Sequence, residues 1–208
     1  MKQLVKTTFV IALGAFSLGV LAQEAQPAPQ PTSDPAQKPA TIQQRKENQQ
    51  QRIGEGVENG SLTAGEASKL EHKEAALNRE EKNMKSDGTL SPAEKAKLQK
   101  QQNNLSKDIY KQKHDAQTQN TDPKSEVGQR DRNQQKRIGE GIENGSLTPR
   151  EAGRLEGQEA RVNKEQRNMR AANGGTLTPA EKAKINKQQN KESKRIYRQK
   201  HDAQTQKK

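Results

Sequence analysis

One segment of about 75 residues occurs twice in the chain, and this duplication limits the available folds more than any other feature. The stretch that begins at Asn48 returns from Asn133, an offset of 85 residues. Lys97 to Gln119 returns as Lys184 to Gln206, an offset of 87. The two extra residues fall in one loop, where a folded unit tolerates an insertion. The sequence therefore predicts two tandem copies of one small folded unit.

Matching helix signals stand in both copies. A Ser or Thr followed three residues later by Glu is a capping box that starts a helix. Such boxes occur at Thr63–Glu66, Ser91–Glu94, Thr148–Glu151 and Thr178–Glu181. Strands are disfavoured because only 2% of the residues are aromatic. The expected fold class is all-α, with two tandem three-helix units joined by a short linker and preceded by a disordered Pro-rich segment.

The expected core of each unit is small, because only 26% of the chain is apolar. In the second copy Glu192 replaces Leu105, which removes one apolar layer. We therefore expect the second copy to be looser, or its third helix to project. The core residues expected in the first copy are Ile53, Val57, Leu62, Leu70, Leu77, Met84, Leu90, Leu98, Leu105, Ile109 and Tyr110.

The N-terminus has the pattern of a signal peptide at residues 1–22. Lys2 and Lys6 precede an apolar run from Phe9 to Ala22, which is too short to span a bilayer. We expect export to the periplasm or secretion, with no membrane span after cleavage. The expected domains are a Pro/Gln-rich disordered linker at 23–40, repeat 1 at 41–119, a linker at 120–132, and repeat 2 with a basic tail at 133–208.

Loops in both copies resemble EF-hand calcium loops, which place Gly at position 6, an apolar residue at position 8 and Glu at position 12. In the first copy this resemblance implies weak calcium ligands at Asn83, Asp87, Glu94, Glu55, Asn59 and Glu66. Positions 1 and 3 lack the usual Asp, so few carboxylates are available. The same pattern is also explained by a helix C-cap followed by a capping box. No other cofactor is expected.

The repeated layout also resembles exported tandem-repeat helical proteins of Gram-negative bacteria with degenerate EF-hand-like loops. The shared elements are Arg52-Ile53, Leu62-Thr63, Glu66-Ala67, Asp87-Gly88 and Ile109-Tyr110…Lys113-His114, with their counterparts in the second copy. The resemblance spans nearly all of the chain after residue 22. It implies export and no established activity.

Basic residues give the clearest functional indication, because the formal net charge is +12. Their clustering indicates binding to a polyanion, an unidentified protein is the other expected partner, and an oligomer is compatible with either. No catalytic motif is present, so we expect a non-catalytic binding protein, with calcium binding or sensing as the alternative. The candidate polyanion-binding residues are Lys191, Lys194, Arg195, Arg198, Lys200, Lys111 and Lys113.

Overall fold

A computed structural model describes residues 40–119 and 124–206 of the chain. These residues form six α-helices and no strand, which confirms the all-α class. The expected signal peptide and residues 23–39 of the Pro-rich linker lie outside the described residues. The helices are α1 (Ile42–Asn59), α2 (Ala64–Met84), α3 (Pro92–Lys113), α4 (Glu126–Glu143), α5 (Pro149–Ala172) and α6 (Pro179–Lys200). A 3₁₀ turn (Lys85–Asp87) follows α2.

The four expected capping boxes are present at the starts of α2, α3, α5 and α6. At α2, the backbone N–H of Thr63 donates to Glu66 Oε2 at 2.9 Å. The Thr63 hydroxyl in turn accepts from the backbone N–H of Glu66. Each box satisfies donors that the first turn of a helix would otherwise leave unpaired.

Helix α4 begins at Glu126, within the segment 120–132 that the sequence suggested was a linker. Ser125 caps the helix by accepting a hydrogen bond from the backbone N–H of Gly128 at 3.1 Å. The residue at the third helical position is Gly128, so no Glu reaches back to complete a capping box. The second repeat therefore has a longer first helix than the sequence pattern indicated.

Both copies contribute to one main apolar cluster. Two small domains, each with its own core, are therefore not confirmed. Helix α1 packs mainly on α4, and α2 packs mainly on α5. The most deeply buried members of the cluster are Ile53, Leu62, Ile109, Ile138, Leu147, Ala67, Ala152 and Ile196.

The contact between α1 and α4 depends on two glycines. A Cβ on Gly54 would lie 2.9 Å from the carbonyl oxygen of Gly139, and a Cβ on Gly139 would lie 2.8 Å from that of Gly54. The reciprocal geometry is that of a two-fold axis between identical surfaces. Only residues without a Cβ allow the two backbones to approach this closely.

The segment after the last helix of each copy pairs with the turn that follows the first helix of that copy. The backbone N–H of Gln119 donates to the Gly60 carbonyl, and that of Gln206 donates to the Gly145 carbonyl, each at 2.9 Å. Gly60 and Gly145 have φ near +75°, a conformation that favours glycine. These bonds hold the ends of α3 and α6 against the bundle.

Two expectations about packing are wrong. Helix α6 does not project, because it contacts α4 and α5 as α3 contacts α1 and α2. A second apolar cluster of Val127, Val162, Leu177 and Ile185 supports this copy. Tyr110 is 59% exposed rather than part of the core. It follows the buried Ile109, and one helical residue turns the side chain by about 100° away from the apolar stripe.

Candidate functional site: a basic ridge over a core that contains carboxyl groups

Two of the expected calcium ligands are engaged in helix capping. Glu66 accepts from the backbone N–H of Thr63, and Glu94 accepts from that of Ser91, both at 2.9 Å. Glu94 also accepts from the Ser91 hydroxyl at 2.8 Å. The glutamates at the twelfth loop positions thus stabilise the starts of α2 and α3.

The other four expected ligands are also dispersed. Asn59 and Asp87 each accept a hydrogen bond from the backbone N–H two residues further on. Glu55 faces Lys113, whose Nζ lies 3.4 Å from Glu55 Oε2. Asn83 is exposed near the end of α2.

The structure does not bring the six residues together. Helix α2 separates the two loops and has 21 residues, a length of about 30 Å. Within residues 40–119 and 124–206, no group of three or more His, Asp or Glu side chains is placed to hold a metal ion.

The core contains a set of carboxyl groups that the apolar pattern of the sequence did not indicate. Glu71 on α2 and Glu156 on α5 are completely buried and occupy equivalent positions in the two copies. Each carboxyl accepts a hydrogen bond from a buried amide. The side chain of Gln50 donates to Glu71, and that of Gln135 donates to Glu156, both at 3.2 Å. Burial raises the pKa of Glu71 well above its ordinary value and that of Glu156 to about 8.

A second equivalent pair lies one turn further along the same helices. Burial raises the pKa of Glu74 to about 7, although the nearby Lys46 opposes the rise. In the second copy Asp131 stands where the first copy has Lys46, and it neighbours Glu159. Burial raises the pKa of Asp131 to about 7. Burial, and then the repulsion by Asp131, raise the pKa of Glu159. Burial and mutual repulsion therefore favour the protonated form in this pair.

Glu192, which replaces the apolar Leu105, is also buried. Its Oε1 lies 2.6 Å from Nη1 of Arg195 on the next turn of α6. Burial raises the pKa of Glu192, while the guanidinium of Arg195 opposes the rise. The helix therefore keeps its packing by pairing the carboxylate instead of exposing it.

Three of the seven expected polyanion-binding residues are engaged in the fold. Lys113 Nζ donates to the Arg52 carbonyl at 3.1 Å, and Lys200 Nζ donates to the Arg137 carbonyl at 2.9 Å. Arg195 is paired with Glu192. These three cations stabilise helix contacts and are poorly placed to bind a partner.

The remaining candidates lie on exposed helix faces. On α6, Lys191, Lys194 and Arg198 join Lys187 in a stripe with spacings of four, three and four residues, which places them on one helix face. We call these four residues the basic ridge. All are exposed, and none has an ion pair or a side-chain hydrogen bond in the described part of the chain. The equivalent stripe on α3 is Lys100, Asn104, Lys107 and Lys111.

An exposed aromatic pair lies beside each stripe. The rings of Tyr197 and His201 stack with centroids 4.2 Å apart, and those of Tyr110 and His114 stack at 4.1 Å. The Nδ1 atom of each histidine is within hydrogen-bonding distance of the tyrosine carbonyl one turn earlier. Each stripe therefore ends beside a solvent-exposed ring held in a fixed orientation.

Comparisons with known proteins found no relative. No protein-family model matches the chain, and no curated protein or solved structure is significantly similar to it. Among the described helices, none combines the length and apolar character needed to cross a membrane.

Proposed function

We propose that the chain is an exported, non-catalytic helical binding protein that captures an acidic partner through the basic ridge. The observation that supports this most strongly is the row of four exposed cations on α6, none paired among the described residues. The ridge extends over 12 residues, or about 16 Å of helix between its first and last Cα atoms. An extended polyanion lying along such a row gains several Coulomb contacts and releases its counterions.

The proposal includes the tandem arrangement of two three-helix units. Each unit presents one basic stripe, and the stripe on α3 has one cation fewer because Asn104 stands in place of Lys191. We expect α6 to contribute the larger share of binding. Export to the periplasm or secretion is part of the same proposal, and fractionation of cells that express the chain would test it.

The ridge is tested with a fluorescent sulfated polysaccharide as the polyanion. The triple variant Lys191→Gln/Lys194→Gln/Arg198→Gln should weaken binding at least about tenfold at low salt, because each lost contact also forfeits counterion release. Titration over a range of salt concentrations should give a shallower slope of log K against log salt for the variant than for the wild type.

A matched control removes three exposed cations elsewhere. Lys69, Lys136 and Lys164 are exposed, lie on helices other than α6 and form no ion pair in the described ranges. Changing all three to Gln lowers the net charge as much as the ridge variant does and should weaken binding far less. Equal losses in the two variants would show that bulk charge drives binding, and the ridge would be rejected.

A further inference from the structure

A groove of about 930 Å³ lies away from the basic ridge. It is bounded by α1 and α2 of the first copy, and by the α4–α5 turn and the tail of the second. Gln50 and Gln206 form part of its wall, and the amide of Gln206 donates to Gln50 Oε1 and to the Leu147 carbonyl, both at 2.7 Å. A cavity of this size is in the range that accommodates small ligands.

Cations dominate the rim of the groove. Arg79 and Lys82 project from α2, and Arg150 and Arg154 project from the first turns of α5. All four are exposed, and none forms an ion pair or a side-chain hydrogen bond within the described ranges. Lys46, which is paired with Glu81 at 2.9 Å, and His72 also line the groove, so six basic side chains from three helices lie around it.

Three acidic residues share the lining, and burial raises the pKa of two of them. Burial raises the pKa of Glu74 to about 7. Desolvation, and then the charge of Glu58, raise the pKa of Glu143. Glu47 accepts a hydrogen bond from Gln43 at 3.0 Å. Five lysine and arginine side chains line the groove against these three acidic residues, so its formal charge is positive.

The equivalent positions of the opposite copy, at the 85-residue offset, have lost much of this charge. Gly65 stands in place of Arg150, and Gly157 stands in place of His72. Asp131 replaces Lys46, which reverses a charge. Lys69 and Lys164 remain at the positions equivalent to Arg154 and Arg79. The fold alone thus does not require the cations of the groove, because the opposite copy adopts the same helix arrangement without half of them.

We propose that this groove is a binding site for a compact anion that carries two or more phosphate or carboxylate groups. Three of the cations are arginines, whose planar guanidinium groups bind such oxygen pairs in a bidentate way. Cations that converge on a concave surface also focus the electric field more strongly than the same number on a convex helix face. This groove is a second site in addition to the basic ridge. The ridge is suited to an extended polymer, and the groove to a compact anion.

Calorimetric titration of the purified protein with inorganic tripolyphosphate and, separately, with citrate tests the site and distinguishes phosphate from carboxylate ligands. We expect one saturable site for at least one of the two probes. The double variant Arg79→Gln/Arg154→Gln should raise its Kd at least about tenfold, because two charge-assisted contacts are lost. Lys82→Gln/Arg150→Gln should do the same from the other half of the rim.

The opposite copy supplies the control. Lys69→Gln/Lys164→Gln removes two charges at the equivalent positions and should change the Kd by less than about twofold, since neither side chain lines the groove and exposed charges that do not contact the ligand are largely screened at physiological salt. The ridge variant should also leave this Kd unchanged, so failure of the ridge and failure of the groove are separate results. Absence of a saturable site for both probes, or equal weakening by the control, would overturn the inference.

Discussion

Replacing Glu156 with Gln tests the consequence of burying carboxyl groups in this core. The side chain is completely buried, and its Oε2 accepts a hydrogen bond from Gln135 at 3.2 Å. Burial, and repulsion by Asp131, raise its pKa from the ordinary 4.5 to about 8. A group whose pKa is higher in the folded state stabilises the fold fully below its unfolded pKa. That contribution is lost as the pH rises through the folded value.

The size of the effect follows from this rise in the pKa. Each tenfold change in proton affinity corresponds to about 1.4 kcal/mol. The rise from 4.5 to about 8 therefore corresponds to about 5 kcal/mol lost between those pH values. A domain of ordinary stability has only about 5–15 kcal/mol in total. Gln matches the shape of the protonated acid, can still accept from Gln135, and does not ionise.

We expect the free energy of unfolding of Glu156→Gln to lie within about 1 kcal/mol of the wild type at pH 5 and to exceed it by about 3–5 kcal/mol at pH 9. Urea unfolding followed by far-UV circular dichroism at pH 5, 7 and 9 measures both values. Glu126→Gln removes the same charge from a side chain that is 66% exposed and should not alter the pH dependence. If the wild type and Glu156→Gln lose the same stability between pH 5 and pH 9, the reasoning is refuted.

Further predictions concern packing and calcium. Gly139→Ala should destabilise the fold by about 1–3 kcal/mol in urea unfolding, because its Cβ would meet the Gly54 carbonyl at 2.8 Å. Gly65→Ala, whose Cβ would meet only the Cβ of Ala160 at 3.9 Å, should be neutral or stabilising, and a loss as large as that of Gly139→Ala would contradict this account. Glu192→Leu should raise the midpoint of thermal unfolding at pH 7, because an apolar side chain replaces a buried carboxylate whose partner Arg195 is partly exposed; an unchanged or lower midpoint would count against that view. Calcium at millimolar concentration should give neither calorimetric heat nor a thermal shift, and a saturable heat would favour the EF-hand interpretation.

Helix boundaries were the part of the fold most open to prediction from the sequence. Capping boxes depend on four consecutive residues, so the starts of α2, α3, α5 and α6 could be read directly. The start of α4 could not, because Ser125 is followed three residues later by Gly128 and the reciprocal half of the signal is absent. Local signals predict local structure, and they fail where a cap uses only one of its two bonds.

The pairing of the two copies could not be predicted in the same way. The apolar stripe of a helix shows which face is buried but not which helix covers that face. Because the equivalent stripes of the two copies are nearly identical, the sequence does not show which helices pair. The glycines at 54 and 139 were visible, yet their meaning depends on a crossing between residues 85 positions apart in the chain.

The buried carboxyl groups had a signal that a search for apolar residues overlooks. Glu71 and Glu74 lie on the same helical face as Leu70 and Leu77, at spacings of one, three or four residues. That pattern returns in the second copy. Acidic residues that recur on an apolar stripe indicate protonated or amide-paired groups in the core. The groove was not visible because its rim joins cations from helices of both copies.

The reciprocal glycine contact between α1 and α4 has a consequence for how this chain is organised. Two identical surfaces that meet across a two-fold axis describe a homodimer, here carried on a single chain. In a true homodimer both grooves would have the same sequence, and every substitution would appear twice. Joining the copies in one chain removes that constraint. One groove can then be lined by arginines, while the equivalent surface has Gly65, Gly157 and Asp131. Covalent linkage thus permits asymmetry of binding within a symmetric scaffold.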